Sequence, residues 1–469
     1  MLKFEKYSVE TLLKYKPYID KSPLRVNDVS VGSFFMWNKG VNLAFCLTMS
    51  GAFISRQDVC GEPAFSYPFG GDENEAIEQL KAYCLENNLP LKFYGVSDET
   101  LEKMKENKVV GKLSYAYDGK WSDYVYSFKE MRDFVGKKFG GQRNHIHKFL
   151  NTYPEAKFTP FTKDDLPKVR EFLDKYKSEH GDGLLEENDE YRHTRELAEK
   201  FFDLGLIGGK YELNGEVISV TIGEIQGDTL IIHIEKALKS FAGAYPATFN
   251  AFVKYVESIY GELEYVNRED DSGDAGLRTS KQQYNPILMI NKNIVKVDSP
   301  FIGVQIPVIK GEKVVLSEIT ESDKPEYLAL CTDEENNKYW GYDYKEDESI
   351  TSAIDENTFY DIVKFDRAVG DSINFAVRES ENGKLVGETI IYNSTLDNHI
   401  EAGCRISAAH SGKGIGSEAF ALTVKFAESI GCRVTAKCYK ANEKSRKMLL
   451  ACGMEFTRED ETFYYFIHR

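Results

Sequence analysis

At 469 residues the chain is too long for one ordinary core, and it is expected to form roughly two to four compact units. With 42% hydrophobic and 13% aromatic residues it carries enough apolar surface to offset the entropy of ordering, which excludes a disordered chain. The net charge of −16 argues against general affinity for nucleic acid or anionic membrane, both of them polyanions.

The first block, about 1–150, opens with MLKFEKYSVETLLKYKPY, which is charged from its first turn and lacks the apolar stretch of a secretory signal. No apolar run anywhere reaches the ~18–20 residues of a membrane helix, so a cytoplasmic protein is expected. Short apolar strands follow at LAFCLTM, GAFISRQ and LKFYGV, with the helix ENEAIEQLKAYCLEN between the last two. A basic stretch closes the block: Lys129, Arg132, Lys137, Lys138, Arg143 and Lys148, with His145 and His147, against Glu130 and Asp133. It reads either as a solvated helical connector or as a contact surface for phosphate or RNA. The two histidines have no companion carboxylates at ligand spacing, and Cys46, Cys60, Cys84, Cys331, Cys404, Cys432, Cys438 and Cys452 form no CxxC pair. Reduced thiols and no metal site are expected.

The second block, about 151–299, starts with a charged helix from Asp164. Strands LIGGKYEL, EVISVTIGEI and DTLIIHIE come next, joined at the hairpin signals Asn214-Gly215 and Gly227-Asp228. A Gly243-Ala244 turn leads into the helix TFNAFVKYVESIYG, the strand LEYVN, a helix around LRTSKQQY and the strand PILMIN. Asn267-Arg268-Glu269-Asp270-Asp271 ends a strand, where α/β folds place ligand sites. Its carboxylates suit an ammonium group, and Arg278 and Lys281 suit a phosphate or carboxylate. The alternative is an acidic turn with a capped helix and an internal ion pair.

The third block, 300–469, follows the breaker Asp298-Ser299-Pro300 and repeats the same order of parts, which suggests a duplicated α/β unit. Strands SINFAVR, KLVGETIIY and HIEAGCRIS run into Gly412-Lys413-Gly414-Ile415-Gly416, and a helix starts at once. Glycines there let backbone N–H groups approach a bulky anion, the helix N-terminus adds attraction, and Lys413 adds a charge. A plain tight turn is the alternative. After the strand CRVTAKCY, Asn442 stands at a helix start, either as its cap or as a partner for an extended amide-bearing ligand.

Residues 307–469 resemble the Gcn5-related N-acetyltransferases, in particular the branch that acetylates ribosomal-protein alanine. The family's phosphate motif falls on Ser411, Gly412, Lys413, Gly414, Ile415 and Gly416. The resemblance implies acetyl-coenzyme A as cosubstrate, with pyrophosphate on the backbone from Gly412 to Gly416 and pantetheine along Ile406 and Ser407. Asn442 and Ser445 match the second family signature. Ser411 replaces the usual Arg or Gln, and Leu449 stands where many relatives carry an acid Tyr. Amine acetylation needs a base and a proton for the leaving thiolate. Glu401 is the expected base, with Glu388 second, and Tyr439 or Ser445 the expected acid; Glu401 also reads as a strand-edge or substrate-ammonium contact. The acceptor is an amine of a small molecule or a protein.

Residues 1–297 resemble the soluble catalytic region of phosphatidylglycerol lysyltransferases. The segments that carry this are SVGSFFMW, DYVYSFKEMRDFVGKKFGGQRNHIHKF, HIEKALKSFAGAYPATFNAF and YVNREDDSGDAGLRTSKQQYNP. That family moves an aminoacyl group from tRNA, and the resemblance implies a pocket near His233, Glu235, Asn267, Glu269, Asp271, Arg278 and Lys281. Together the resemblances imply an α/β (α+β) fold of acetyltransferase-like mixed sheets flanked by helices. Three such units are expected in tandem, at 1–150, 151–299 and 300–469. Three functions follow: acetyl transfer with the leading blocks recognising the substrate, aminoacyl transfer with the basic stretch meeting tRNA, or leading blocks that only bind.

Overall fold

The computed structural model describes residues 2–59, 61–180, 189–345, 347, 350 and 353–469. Cys60 lies outside them; the other seven cysteines are free thiols. The chain forms three mixed α/β sheets flanked by helices. Among the described residues no helix is long and apolar enough to cross a membrane.

One device recurs in every sheet. An antiparallel set ends in a strand, a helix crosses over, and the next strand returns parallel to the one before the helix, as a parallel neighbour requires. In the first sheet, helix Glu73–Asn87 links Glu62–Phe65 to the parallel Leu91–Val96. Asp72 caps that helix by accepting from Glu75 N, and Asn88 ends it at φ 52. In the second sheet, helix Ala244–Tyr260 links Thr229–Ala237 to Tyr265–Asn267. In the third, helix Ile415–Ser429 links His399–Ile406 to Arg433–Tyr439.

The first two sheets are not separated at residue 150. Strand Asp123–Ser127 sits in the second sheet, antiparallel between Tyr265–Asn267 and Leu288–Ile290. Strand Asn293–Val297 sits in the first, between Leu91–Val96 and Leu113–Ala116. Each sheet thus takes a strand from the other side of the expected boundary. A shared apolar core follows, in which Phe45 and Phe53 join Val220, Ile222 and Ile234. Helix Val31–Met36 is buried within it. Gly32 lies so close to the His233 ring that a Cβ there would overlap it.

The third sheet has its own core, with Phe375, Val386, Phe420 and Val434 at its centre. It docks on the first sheet through the end of helix Thr358–Val369. Ser114 donates to Val369 O at 2.6 Å and Ser299 to Gly370 O at 2.8 Å. Beside them lies a buried charge cluster. Asp371 receives Lys92 at 2.7 Å and Lys296 at 2.9 Å, and Glu62 lies 3.2 Å from both ammonium groups. Both lysines are 1% exposed, so each carboxylate is needed. Asp371→Asn is expected to cost about 3–5 kcal/mol, the penalty for breaking a buried pair. Scanning calorimetry should then show the third domain melting ahead of the leading region, and an unshifted profile would refute the cluster's role.

Candidate active site

The parallel strands of the third sheet pair only at their starts, His399↔Arg433, Ile400↔Val434 and Glu401↔Thr435. Both strands run on to Ile406 and Tyr439. Beyond Glu401 they part, and a V opens towards the N-terminus of helix Ile415–Ser429. Gly412 and Gly414 stand at its mouth with φ of 81° and 82°, in the left-handed region that only glycine enters freely. A Cβ on Gly414 would also lie 2.9 Å from Lys313 Nζ. Among the described residues the N–H groups of Gly412, Lys413 and Gly414 have no acceptor, and the first N–H groups of a helix lack one by construction. Free donors of this kind at a helix start are suited to an anion.

Ile406, Ser411, Gly412, Gly414, Gly416, Asn442 and Ser445 line one cavity of about 2720 Å³, together with Glu401 and Tyr439. Three expected residues do not line it. Ile415 is buried in the core, Lys413 is exposed, and the Ser407 hydroxyl bonds His410 Nδ1 at 2.7 Å. Asn442 caps helix Glu443–Ala451 by accepting from Ser445 N at 3.1 Å.

Glu401 is held from both flanking strands. The Tyr392 hydroxyl donates to its carboxylate, and Lys437 Nζ lies 3.2 Å from it. Burial and the Glu401 charge push the Tyr392 phenol well above its usual range. Glu388 is already committed. It receives Arg405 at 2.6 Å, Tyr327 at 2.7 Å and Asn374 at 2.6 Å, and it is 1% exposed. That leaves Glu401 the better-placed carboxylate. The Tyr439 ring packs on Phe463 at 4.5 Å and Tyr339 at 5.7 Å.

The second sheet has the same split, but it is closed. Its parallel strands pair last at Ile231↔Asn267, and two residues further along the chain from each stand His233 and, past the strand end, Glu269. His233 Nδ1 reaches Glu269 at 2.8 Å and Nε2 reaches Glu224 at 2.8 Å, so the imidazole bridges the gap. Burial acts to lower its pKa, but the two carboxylates overcome that and raise it to about 10. The other expected pocket residues are likewise spent on one another. Glu235 holds Arg268 at 2.7 Å, and Asn267 Nδ2 donates to Asp123 and to Arg25 O, each at 2.9 Å. Asp271 takes both Arg278 nitrogens at 2.9 Å and the Tyr124 hydroxyl at 2.6 Å, which outweigh burial and bring it to about 2. Lys281 Nζ donates to the carbonyls of Arg268 and Asp270. The structure gathers all seven into one network and leaves none of them idle.

Sequence reasoning missed Glu224, Arg268 and Lys292. Arg268 lies over Tyr284 at 4.4 Å and Phe249 at 4.5 Å. Lys292 meets Asp28 at 2.9 Å and Asp123 and Asp270 at 3.1 Å. Glu224 had a readable signal, a carboxylate inside the apolar run VISVTIGEI. The basic stretch is partly neutralised: Arg132 pairs with Asp133, Glu257 and Glu262, Lys138 with Glu130, and Arg143 donates to two carbonyls. Lys129, Lys137 and Lys148 remain exposed. Among the described residues no group of three or more His, Cys, Asp and Glu is placed to hold a metal ion.

The family model for the phosphatidylglycerol lysyltransferase C-terminal region matches residues 21–295, more than half of the chain. The chain belongs to that family. A second model, for an acetyltransferase (GNAT) domain, matches residues 313–455, so the lysyltransferase-like region is followed by a GNAT domain. The uncharacterized N-acetyltransferase YoaA of Bacillus subtilis is 27% identical over 154 residues, which are 32% of this chain and 83% of YoaA. A crystal structure of a conserved protein of unknown function from Bacteroides thetaiotaomicron is 25% identical, with a TM-score of 0.57. It covers 63% of this chain and 100% of that one. The structure of L-PGS from Bacillus licheniformis is 14% identical with a TM-score of 0.45, over 62% of this chain and 93% of that one. The two family models together give an acyltransferase of the GNAT type with a lysyltransferase-like leading region.

The His233 bridge sets a pH signature. Its folded pKa of about 10 lies above the ~6.5 of an unfolded histidine. The stability it contributes is complete below about pH 6.5 and is lost as pH rises through about 10. Urea unfolding across that window should show the advantage of the native protein over His233→Gln shrinking with pH. A constant difference would contradict the charged bridge.

Proposed function

We propose that the third domain is an acetyl-coenzyme A-dependent N-acetyltransferase. The observation that carries this is the open V of strands His399–Ile406 and Arg433–Tyr439, with left-handed Gly412 and Gly414 and their unmatched N–H groups at its mouth. The turn suits a diphosphate, because three successive N–H groups at a helix start have no acceptor among the described residues. Acetyl-coenzyme A would supply the activated acyl group as a thioester.

Glu401 takes the proton from the acceptor ammonium, and the freed amine attacks the thioester carbonyl carbon. The carbon–sulfur bond breaks, the leaving thiolate is protonated by Tyr439 or Ser445, and the proton that nitrogen sheds as the amide forms restores that hydroxyl. Tyr392 and Lys437 orient the Glu401 carboxylate. Ser411, where relatives carry Arg or Gln, leaves the phosphates to backbone donors, Lys444 and Lys447.

The leading region serves recognition in this reading, since its candidate residues satisfy one another. Binding of aminoacyl-tRNA with a steep salt dependence would instead assign it a transfer of its own, with the exposed Lys129, Lys137 and Lys148 as phosphate contacts.

Calorimetry with acetyl-coenzyme A tests the proposal directly, and no heat from the native protein would sink it. Gly414→Val forces a branched side chain into the left-handed region, and Kd for acetyl-coenzyme A should rise by about tenfold or more. Glu401→Gln should reduce kcat on a responsive amine by at least ~100-fold, the scale of a lost general base. An unchanged kcat would remove Glu401 from that role.

A further inference from the structure

Lys313, whose ammonium a Cβ on Gly414 would meet, reaches the glycine turn from another part of the chain. It stands at the bend of the hairpin formed by strands Ile309–Lys310 and Val314–Glu318. Glu418, in the first turn of helix Ile415–Ser429, ties that bend down. Its carboxylate accepts from Glu312 N and, at 2.9 Å, from Lys313 N. Gly311 permits the approach, since a Cβ there would overlap the Glu418 carboxylate. On the neighbouring strand side, Ser380 N donates to Lys313 O at 2.9 Å. The backbone of Lys313 is therefore held at both its N–H and its carbonyl.

From that fixed point the Lys313 ammonium donates to Lys413 O at 3.1 Å. No backbone N–H reaches this carbonyl among the described residues. The C=O of Lys413 and the N–H of Gly414 belong to one peptide unit, which is trans, so they point in opposite directions. With Lys313 holding the oxygen on one side, the free Gly414 N–H is presented on the other. Gly414 tolerates either sign of φ, so without this bond the peptide plane can turn over at little steric cost. The ammonium is also uncompensated: among the described residues no carboxylate pairs with it. A cation at the positive end of a helix is repelled by the helix dipole, and an anion bound in the turn would remove that repulsion.

We propose that Lys313 is a positioning residue for the coenzyme diphosphate, holding the Lys413–Gly414 peptide with the Gly414 N–H turned towards the phosphates. Ser411 brings no charge to the turn; Lys313 brings one from a hairpin 100 residues earlier in the chain. Glu418 serves the same end indirectly, by fixing the bend from which Lys313 reaches. This inference rests on the acetyl-coenzyme A reading of the third domain.

Calorimetric titration of the full-length protein tests it without any turnover. Lys313→Met should raise Kd for acetyl-coenzyme A about tenfold or more, the scale of a lost charge-assisted hydrogen bond. Lys313→Arg keeps a cationic donor and should bind within about threefold of the native protein. The melting of the third domain without ligand should stay where it is in both variants, because Lys313 is exposed. Lys313, Gly414, Ser417 and Glu418 also line a cleft of about 380 Å³, the size of a small-ligand site, so a role towards the ribose phosphate is the rival. Dephospho-coenzyme A, which keeps the diphosphate and lacks that phosphate, separates the two. Lys313→Met should weaken coenzyme A and dephospho-coenzyme A by the same factor. An unchanged Kd in Lys313→Met, a loss that Lys313→Arg fails to restore, a loss confined to coenzyme A, or a melt lowered in step with affinity would each overturn the inference. In all four cases binding of acetyl-coenzyme A by the native protein leaves the acetyltransferase reading standing; absence of that binding removes both.

Discussion

Two ammonium groups taken almost wholly out of water set the relation between the two halves of this chain. Lys92 and Lys296 lie side by side on neighbouring strands of the first sheet, and like charges at that spacing repel. One compensating carboxylate, Glu62, comes from the same sheet, and the other, Asp371, comes from the GNAT domain. Neutrality is reached only when both halves are present. In a medium of low dielectric that requirement is directional as well as strong, because a small tilt would strand an ammonium without its partner. The large cavity above the cluster inherits its shape from this constraint.

The second and third sheets show one backbone plan put to opposite uses. In both, parallel strands separate after three pairs and leave a wedge between them. In the GNAT domain residues of both strands line the cavity, and Lys437 on one lies 3.2 Å from Glu401 on the other. In the leading region His233 and Glu269 reach across it, and Glu224 anchors the imidazole from a neighbouring strand while receiving Gly32 N at 2.7 Å. The helix starts differ too. Ala244 N is satisfied by Phe241 O, and Pro246 has no N–H to offer, so the second sheet presents a poorer anion cradle than Gly412–Gly414 does.

Local signals in the sequence were sufficient for the elements and for the glycine turn at Gly412–Gly416. The hairpin turns, the helix from Ile415 and the glycine turn before it rest on spacing within one segment, and spacing is what a sequence displays. The strand exchange was not legible. Asp123–Ser127 and Asn293–Val297 look like any short strand, and their choice of sheet depends on partners more than 100 residues away. The candidate pocket around Asn267 fell between these cases. The residue types were identified, but whether a carboxylate meets a substrate or an arginine is decided by geometry. Arg268 and Arg278 decide it for Glu235 and Asp271. The partner of Glu401 was hidden for a simpler reason: Tyr392 is nine residues away along the chain and directly opposite across the ladder.

The exchanged strands also impose an order on how the protein is made. A chain emerging from the ribosome exposes Leu91–Val96 and Leu113–Ala116 long before Asn293–Val297, the strand that lies between them. Until residue 297 has emerged, the first sheet has a gap at an interior position, and its core lacks Val295 and Val297. The lysyltransferase-like region must therefore close as a whole, late and in one step, whereas the GNAT sheet is built from a continuous stretch and can close once its own residues are out. Lys296 arrives with the closing strand. The docking point for the second half is completed by the same event that seals the first.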